Sequence, residues 1–187
     1  MLKSKTGPYL TLHFLIFIFG FTGIMGRYID TPSTAITVYR TGITFVVLLL
    51  YVWAKGYMIF PGWKKLVLMI LSGGVIGLHW VAFFEAIKTA NVTVTMAMLA
   101  TGALFTSFLE PIFFHRRLRI HEVLLGIIEI GGVYIIRDSV DGNEAMESGV
   151  VIALIASFLS ACYSIINGKW SAAMPHDTVM VIMWEML

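Results

Sequence analysis

The chain has 187 residues, 58% of them hydrophobic and 13% charged, with a mean hydropathy of +0.86. A soluble protein carries roughly 25% charged residues, so there is too little polar material here to cover a water-facing surface, and an ordinary soluble domain is excluded. A formal charge of +2 gives no general case for nucleic-acid binding, and the single cysteine, Cys162, excludes an intrachain disulfide and reads as a small packing residue.

A membrane-spanning helix needs about 20 mostly apolar residues. Charged punctuation marks six such stretches and the start of a seventh. Lipid cannot satisfy open strands, and no barrel-like alternation occurs. The fold class expected is therefore an all-α membrane protein, a multi-helix transmembrane bundle.

The first stretch, Pro8 to Met25, is longer than a signal-peptide core and ends in Gly26-Arg27 without a cleavage-site pattern, which predicts a retained helix. The second, Ala35 to Ala54, carries Arg40 roughly 8 Å below its nearer boundary. Ser33, Thr37, Arg40, Thr44 and Tyr51 recur at helical spacing and make one stripe. Such a stripe must face protein or water, because a lipid-exposed arginine costs at least about 2.5 kcal/mol. Trp53, Tyr57 and Trp63 cluster where interfacial aromatics sit.

The third stretch, Leu66 to Ile87, contains a GxxxG packing face in Gly73 to Gly77. His79, roughly 12 Å deep, is either a proton relay or a neutral hydrogen-bonded group. Trp80 beside it lines a cavity or packs. Glu85 stands near the end of the helix, three residues before Lys88, a spacing that suits a local ion pair. The alternative places its carboxylate at the outer mouth of a pathway.

The fourth stretch, Val92 to Phe114, follows a glycosylation sequon, Asn91-Val92-Thr93, set in a loop too tight for use. Its stripe of Thr93, Ala97, Ala100, Ser107 and Glu110 lets helices approach closely or walls a cavity. Glu110 is near Arg116 and Arg117, where charge neutralisation is expected. The "HRRLRIH" loop reads as a membrane anchor rather than a nucleic-acid patch. The fifth stretch, Ile120 to Ile136, holds Glu129 roughly 10 Å from the boundary nearest Arg40, which predicts the two as countercharges. They form either a static packing pair or one reorganised by substrate or proton binding. The sixth, Ser148 to Gly168, presents Ser157, Ser160, Ser164 and Asn167; the seventh starts at Thr178.

With the N-terminus cytoplasmic, that side receives Lys3, Lys5, Lys55, Lys64, Lys65, Arg116, Arg117, Arg119 and Lys169, nine charges. The other side receives Arg27, Lys88 and Arg137, together with the acidic loop around Asp141. This satisfies the positive-inside rule and predicts a multi-pass protein of the cell (inner) membrane. Gly7 and Gly26-Arg27 are matched by Gly149 and Gly168-Lys169 at a period of 149 − 7 = 142 residues, with Pro32 echoed by Pro175 and Arg40 by Glu185. Five intervening crossings invert the second copy. Residues 1–137 are thus expected to be a first five-helix repeat, and 138–187 an acidic outer loop, helix six and the start of helix seven of a second repeat. Two periods predict a longer, ten-helix protein of which this is the N-terminal part.

"HWVAFFEAIKTANVTVTMAML" (His79 to Leu99), "ALFTSFLEPIFFHRRL" (Ala103 to Leu118) and the Gly126, Gly131-Gly132 helix resemble EamA-type permeases of the drug/metabolite transporter superfamily. Ala103 stands where that family commonly has a proline, which puts a helix-four kink in doubt. Arg116 stands where a glutamate is common, which adds charge to the inner loop. The resemblance implies ten helices in two inverted repeats, export or exchange of small metabolites, and no enzymatic cofactor. The expected function is alternating-access transport of a small-molecule metabolite across the lipid bilayer, with protons as candidate coupling ion. The residues expected along the pathway are Arg40, Thr44, His79, Trp80, Glu85, Glu129, Ser160 and Ser164. The competing readings are a structural or partner-binding membrane protein and a membrane-embedded enzyme. Against the enzyme, His121-Glu122 is followed by Leu125 where H-E-x-x-H needs histidine, and G-x-S-x-G is absent.

Overall fold

The computed structural model describes residues 6–115, 117–118, 120–139, 143–174 and 178–187. Lys3, Lys5, Arg116, Arg119, Asp141 and Pro175 lie outside the described residues, and so do the side chains of Arg137 and Asp138. Among the described residues the chain forms eight helices and no strand: α1 (Thr6–Tyr28), α2 (Ser33–Ala54), α3 (Trp63–Thr89), α4 (Val92–Leu99), α5 (Gly102–Phe114), α6 (Ile120–Ser139), α7 (Glu144–Ala173) and α8 (Thr178–Glu185).

Among the described residues, five segments are long and apolar enough to cross a membrane: α1, α2, α3, the combined α4–α5 and α7. Helix α6 has the length, 20 residues, but Glu122, Glu129, Arg137 and Asp138 interrupt its apolar character; α8 has 8 residues. Large apolar side chains such as Phe14, Phe17, Val47 and Leu71 point outward, as a hydrocarbon environment permits and water does not. The helices overrun the apolar stretches, α3 by starting at Trp63 and α7 at Glu144. At 1.5 Å per residue they are about 40 and 45 Å long, more than the roughly 30 Å hydrocarbon core.

Helices α3 and α7 make the most extensive contact in the bundle, α8 lies against α3 and α2, and α1 lies against α3 and α4. Lipid tails are as apolar as leucine, so association rests on close packing rather than on burial from water. Ala86, Val94, Met98, Val150 and Ala153 form one buried cluster where α3, α4 and α7 meet, its two alanines letting the helices approach. Gly149 abuts the chain at Ala90, whose backbone nitrogen would stand 2.7 Å from an added Cβ. In the GxxxG face only Gly73 is used this way, against the backbone carbonyl of Glu185; Gly77 has nothing within 4 Å of the same position.

One end of the bundle is tied by polar contacts. Arg27 donates to the Lys88 carbonyl at 3.1 Å and the Lys88 ammonium donates to the Thr31 carbonyl. The Asn91 side chain accepts from the Val94 amide at 2.8 Å, capping α4, which gives the sequon asparagine a structural task. Since Arg27 ends α1 and Gly149 begins α7 at this same end, α1 and α7 run in opposite directions.

The predicted fourth helix is broken at Ala100-Thr101, although no proline stands at position 103. The Ala103 amide donates to Ala100 at 3.1 Å instead of to Leu99. Helix α7 compensates: Ser157 Oγ donates to the Leu99 carbonyl at 3.2 Å and accepts from Thr101 Oγ1 at 3.0 Å. Thr101 Oγ1 also lies 2.6 Å from the Met98 carbonyl, so its single proton is shared between that carbonyl and Ser157. Interrupted backbone within a membrane requires such partners. Gly102 lets α7 come this near, because an added Cβ would sit 3.2 Å from Ser157 Oγ.

Candidate functional site

Beside the break is a cavity of about 500 Å³, walled by α1, α2, α3, α4 and α7. Helix α2 places Arg40 in it, half-buried, with its guanidinium carbon 4.4 Å from the centroid of the Trp80 ring of α3. A cation over an aromatic face is stabilised by about 0.5–2 kcal/mol, more as water is excluded. Thr22, Ser160, Tyr163 and Ser164 bring hydroxyls, while Phe19, Ile76, Phe83, Met96 and Leu99 supply apolar wall. The site therefore combines one planar cation, several neutral hydrogen-bonding groups and a hydrophobic surround.

His79 is buried at 7% exposure and also lines this cavity. Its Nδ1 lies 2.7 Å from the Ala156 carbonyl on α7. A carbonyl only accepts, so Nδ1 carries the proton, and in the neutral ring Nε2 is left as an acceptor. The ring stacks on Phe83 at 6.2 Å between centroids.

The fold thus brings together five residues of the expected pathway, Arg40, His79, Trp80, Ser160 and Ser164. It separates the other three. Thr44 Oγ1 donates to the Arg40 carbonyl at 2.8 Å, a bond within its own helix. Glu85 accepts from Ser33 Oγ at 2.7 Å, whereas Lys88 turns to Thr31, so the expected local pair of Glu85 with Lys88 is not formed. The expected countercharge pair is not formed either. Glu129 lines a different cavity, of about 270 Å³, with Thr101, Leu104, Phe105, Ile130, Val133 and Leu154. The reason is packing: α6 lies against α5 and α4, while α2 lies against α3 and α8, so equal depth does not bring the two charges to one face.

Sequence reasoning missed the most buried carboxylate among the described residues. Glu185 on α8 is 4% exposed and accepts from Ser72 Oγ at 2.8 Å, Tyr163 Oη at 2.9 Å and Asn167 Nδ2 at 3.2 Å. The available signal was its approximate correspondence to Arg40, three residues off the 142-residue period, as an aromatic followed by a charge early in a helix.

A polar stripe on α2 turned inward from Ser33 to Thr44, though exposed at Tyr51, a broken fourth span and a cavity at the break are features of a permease rather than of an inert bundle. The model of the EamA-like transporter family matches residues 7–137. The chain belongs to this family. It is accordingly a multi-pass membrane transporter of the drug/metabolite transporter superfamily. No curated protein and no solved structure matches it. In this EamA-family chain the matched segment contributes Arg40, His79 and Trp80, whereas Ser160, Tyr163, Ser164 and Glu185 follow it in sequence.

Proposed function

We propose that the protein carries a small amphipathic metabolite bearing an anionic group, bound in the Arg40 cavity and exposed alternately to the two sides of the membrane. The observation that carries this reading is the Arg40 guanidinium held against Trp80 in a cavity otherwise lined by neutral groups. Its planar fork matches a carboxylate in a bidentate manner, the aromatic and aliphatic wall suits an apolar body, and the hydroxyls orient it. The broken span supports the same reading, because discontinuous helices commonly border substrate sites in transporters built from repeats. Residues 1–137 act as the first repeat and 138–187 open the second. The Lys55 to Lys65 end faces the cytoplasm, with the N-terminus on that side of the inner cell membrane.

The test is uptake into proteoliposomes of radiolabelled probes in three classes: aromatic carboxylates, the matching neutral amides and the matching amines. Accumulation restricted to the carboxylates, and lost in a correctly inserted Arg40→Ala protein, is expected. Equal flux of all three classes, or carboxylate flux unchanged in Arg40→Ala, would exclude Arg40 as the anion contact.

A further inference from the structure

Glu185 stands between two cavities. Tyr163, one of its donors, is in the wall of the Arg40 cavity. Ser72, another donor, is in the wall of a second cavity of about 500 Å³ bordered by Leu68, Phe113, Ile165 and Lys169. The carboxylate is thus joined by one hydroxyl to each space. Asn167 donates both to Glu185 and, at 2.7 Å, to Tyr163 Oη, which completes the cluster.

A buried carboxylate held by a lysine or arginine stays ionised, because neutralising it strands the cation. Here the donors on Glu185 are two hydroxyls and an amide. A hydroxyl can turn and accept, so the neutral acid can donate to Ser72 or Tyr163 without leaving either oxygen unpaired. Both protonation states are therefore satisfied by the same side chains.

We propose that Glu185 is a proton-binding site that exchanges protons with one cavity through Ser72 and with the other through Tyr163. The step is a proton transfer alone: a carboxylate oxygen takes H⁺ from hydronium on one side, forming one O–H bond, and returns it to water on the other. The titratable and charged groups around it are Tyr163 in direct contact, Arg40 and His79 across the cavity that Tyr163 lines, Lys169 in the other cavity and Tyr57 packed beside α8. Helix α2 meets α8 through Phe45, Leu48, Leu49 and Val52, which do not titrate. The coupling of this proton to flux rests on the transporter reading above; the binding of the proton does not.

Infrared difference spectra of the full-length protein in lipid nanodiscs, recorded between acid and alkaline pH, test it. A protonated-carboxyl band that disappears with rising pH is expected in the parent, absent in Glu185→Gln and displaced in Glu185→Asp. Superimposable parent and Glu185→Gln spectra would overturn the proposal, as would discharge of the band by sodium at fixed pH. Should Glu185→Gln fail to insert, Tyr163→Phe decides: removal of the phenolic donor must move the band or its midpoint, and an unchanged titration overturns the assignment. Flux is read separately in proteoliposomes with a pH gradient. A titrating band without flux of any probe refutes the transporter reading and leaves the proton site standing. Flux whose pH-gradient dependence survives Glu185→Gln refutes the coupling.

Discussion

Replacing Ser157 by alanine probes the break between α4 and α5. The serine is fully buried, and its hydroxyl makes two contacts there, donating to the Leu99 carbonyl and accepting from Thr101. Thr101 keeps its bond to the Met98 carbonyl, so the variant strands a single acceptor, the Leu99 carbonyl. A stranded buried acceptor costs about 1–3 kcal/mol in soluble proteins, but interhelical bonds in membranes average about 0.6 and reach about 1.7 kcal/mol, since lipid-embedded chains find other partners. A loss of about 1 kcal/mol is expected in reversible unfolding in mixed micelles. Gly102→Ala should cost more in the parent than in the Ser157→Ala background, because the new methyl lies 3.2 Å from the hydroxyl that the second substitution removes. Equal costs in both backgrounds would refute the close approach. A Ser157→Ala protein as stable as the parent would mean that the break heals, with the Ala103 amide returning to Leu99, and slowed hydrogen exchange at Ala103 would then report it.

Gly73→Ala should destabilise by about 1–3 kcal/mol or more, since its Cβ would collide with the Glu185 backbone, whereas the adjacent Gly74→Ala, in open space, should be neutral or stabilise by up to about 1 kcal/mol; thermal unfolding of the two side by side checks the register of α3 on α8. Arg40→Ala and Glu129→Gln should be additive within about 0.5 kcal/mol in a double-mutant cycle, because they line separate cavities, and a coupling well above that would restore them as a pair. In a Cys162→Ala background, a cysteine at Glu144 should react with an impermeant reagent outside intact cells and one at Lys64 should not; the opposite pattern reverses the orientation.

Hydropathy located the helices, and five boundaries, Ala54, Val92, Phe114, Ile120 and Thr178, coincide with helix ends. It understated α3 and α7 because apolar length measures the lipid, while the helix continues through polar ends such as Trp63-Lys64-Lys65. The break in the fourth span was not legible, since no local proline marks it and the serine that satisfies its freed groups stands 56 residues beyond Thr101. Depth along a helix says nothing about azimuth or neighbours. The Arg40–Glu129 pairing failed on that point, as did the second half of the GxxxG face. Of the five residues that do share a cavity, Arg40, Ser160 and Ser164 came from stripes at helical spacing, where the turn of the helix fixes which side chains face the same way, whereas His79 and Trp80 stood out by residue type in an apolar helix.

The two buried charges near the cavity are of opposite sign but are not joined. Arg40 rests on Trp80, and Glu185 rests on Ser72, Tyr163 and Asn167, with Tyr163 common to the cavity of one and the hydrogen-bond cluster of the other. A direct ion pair would satisfy both charges permanently and leave an incoming anion nothing to neutralise. Held by neutral partners, the arginine retains its attraction for a carboxylate and the glutamate retains its capacity to be neutralised by a proton. On the proposed reading each charge is costly in the empty site and less costly in the loaded one, so an anionic solute and a proton would relieve the burial. Tyr163 is the group through which occupancy of one would be felt by the other: an anion that draws its hydroxyl away from Glu185 removes a donor from the carboxylate and favours the neutral acid. Loading of anion and proton would then be mutually favourable, which is the thermodynamic condition for moving them in the same direction.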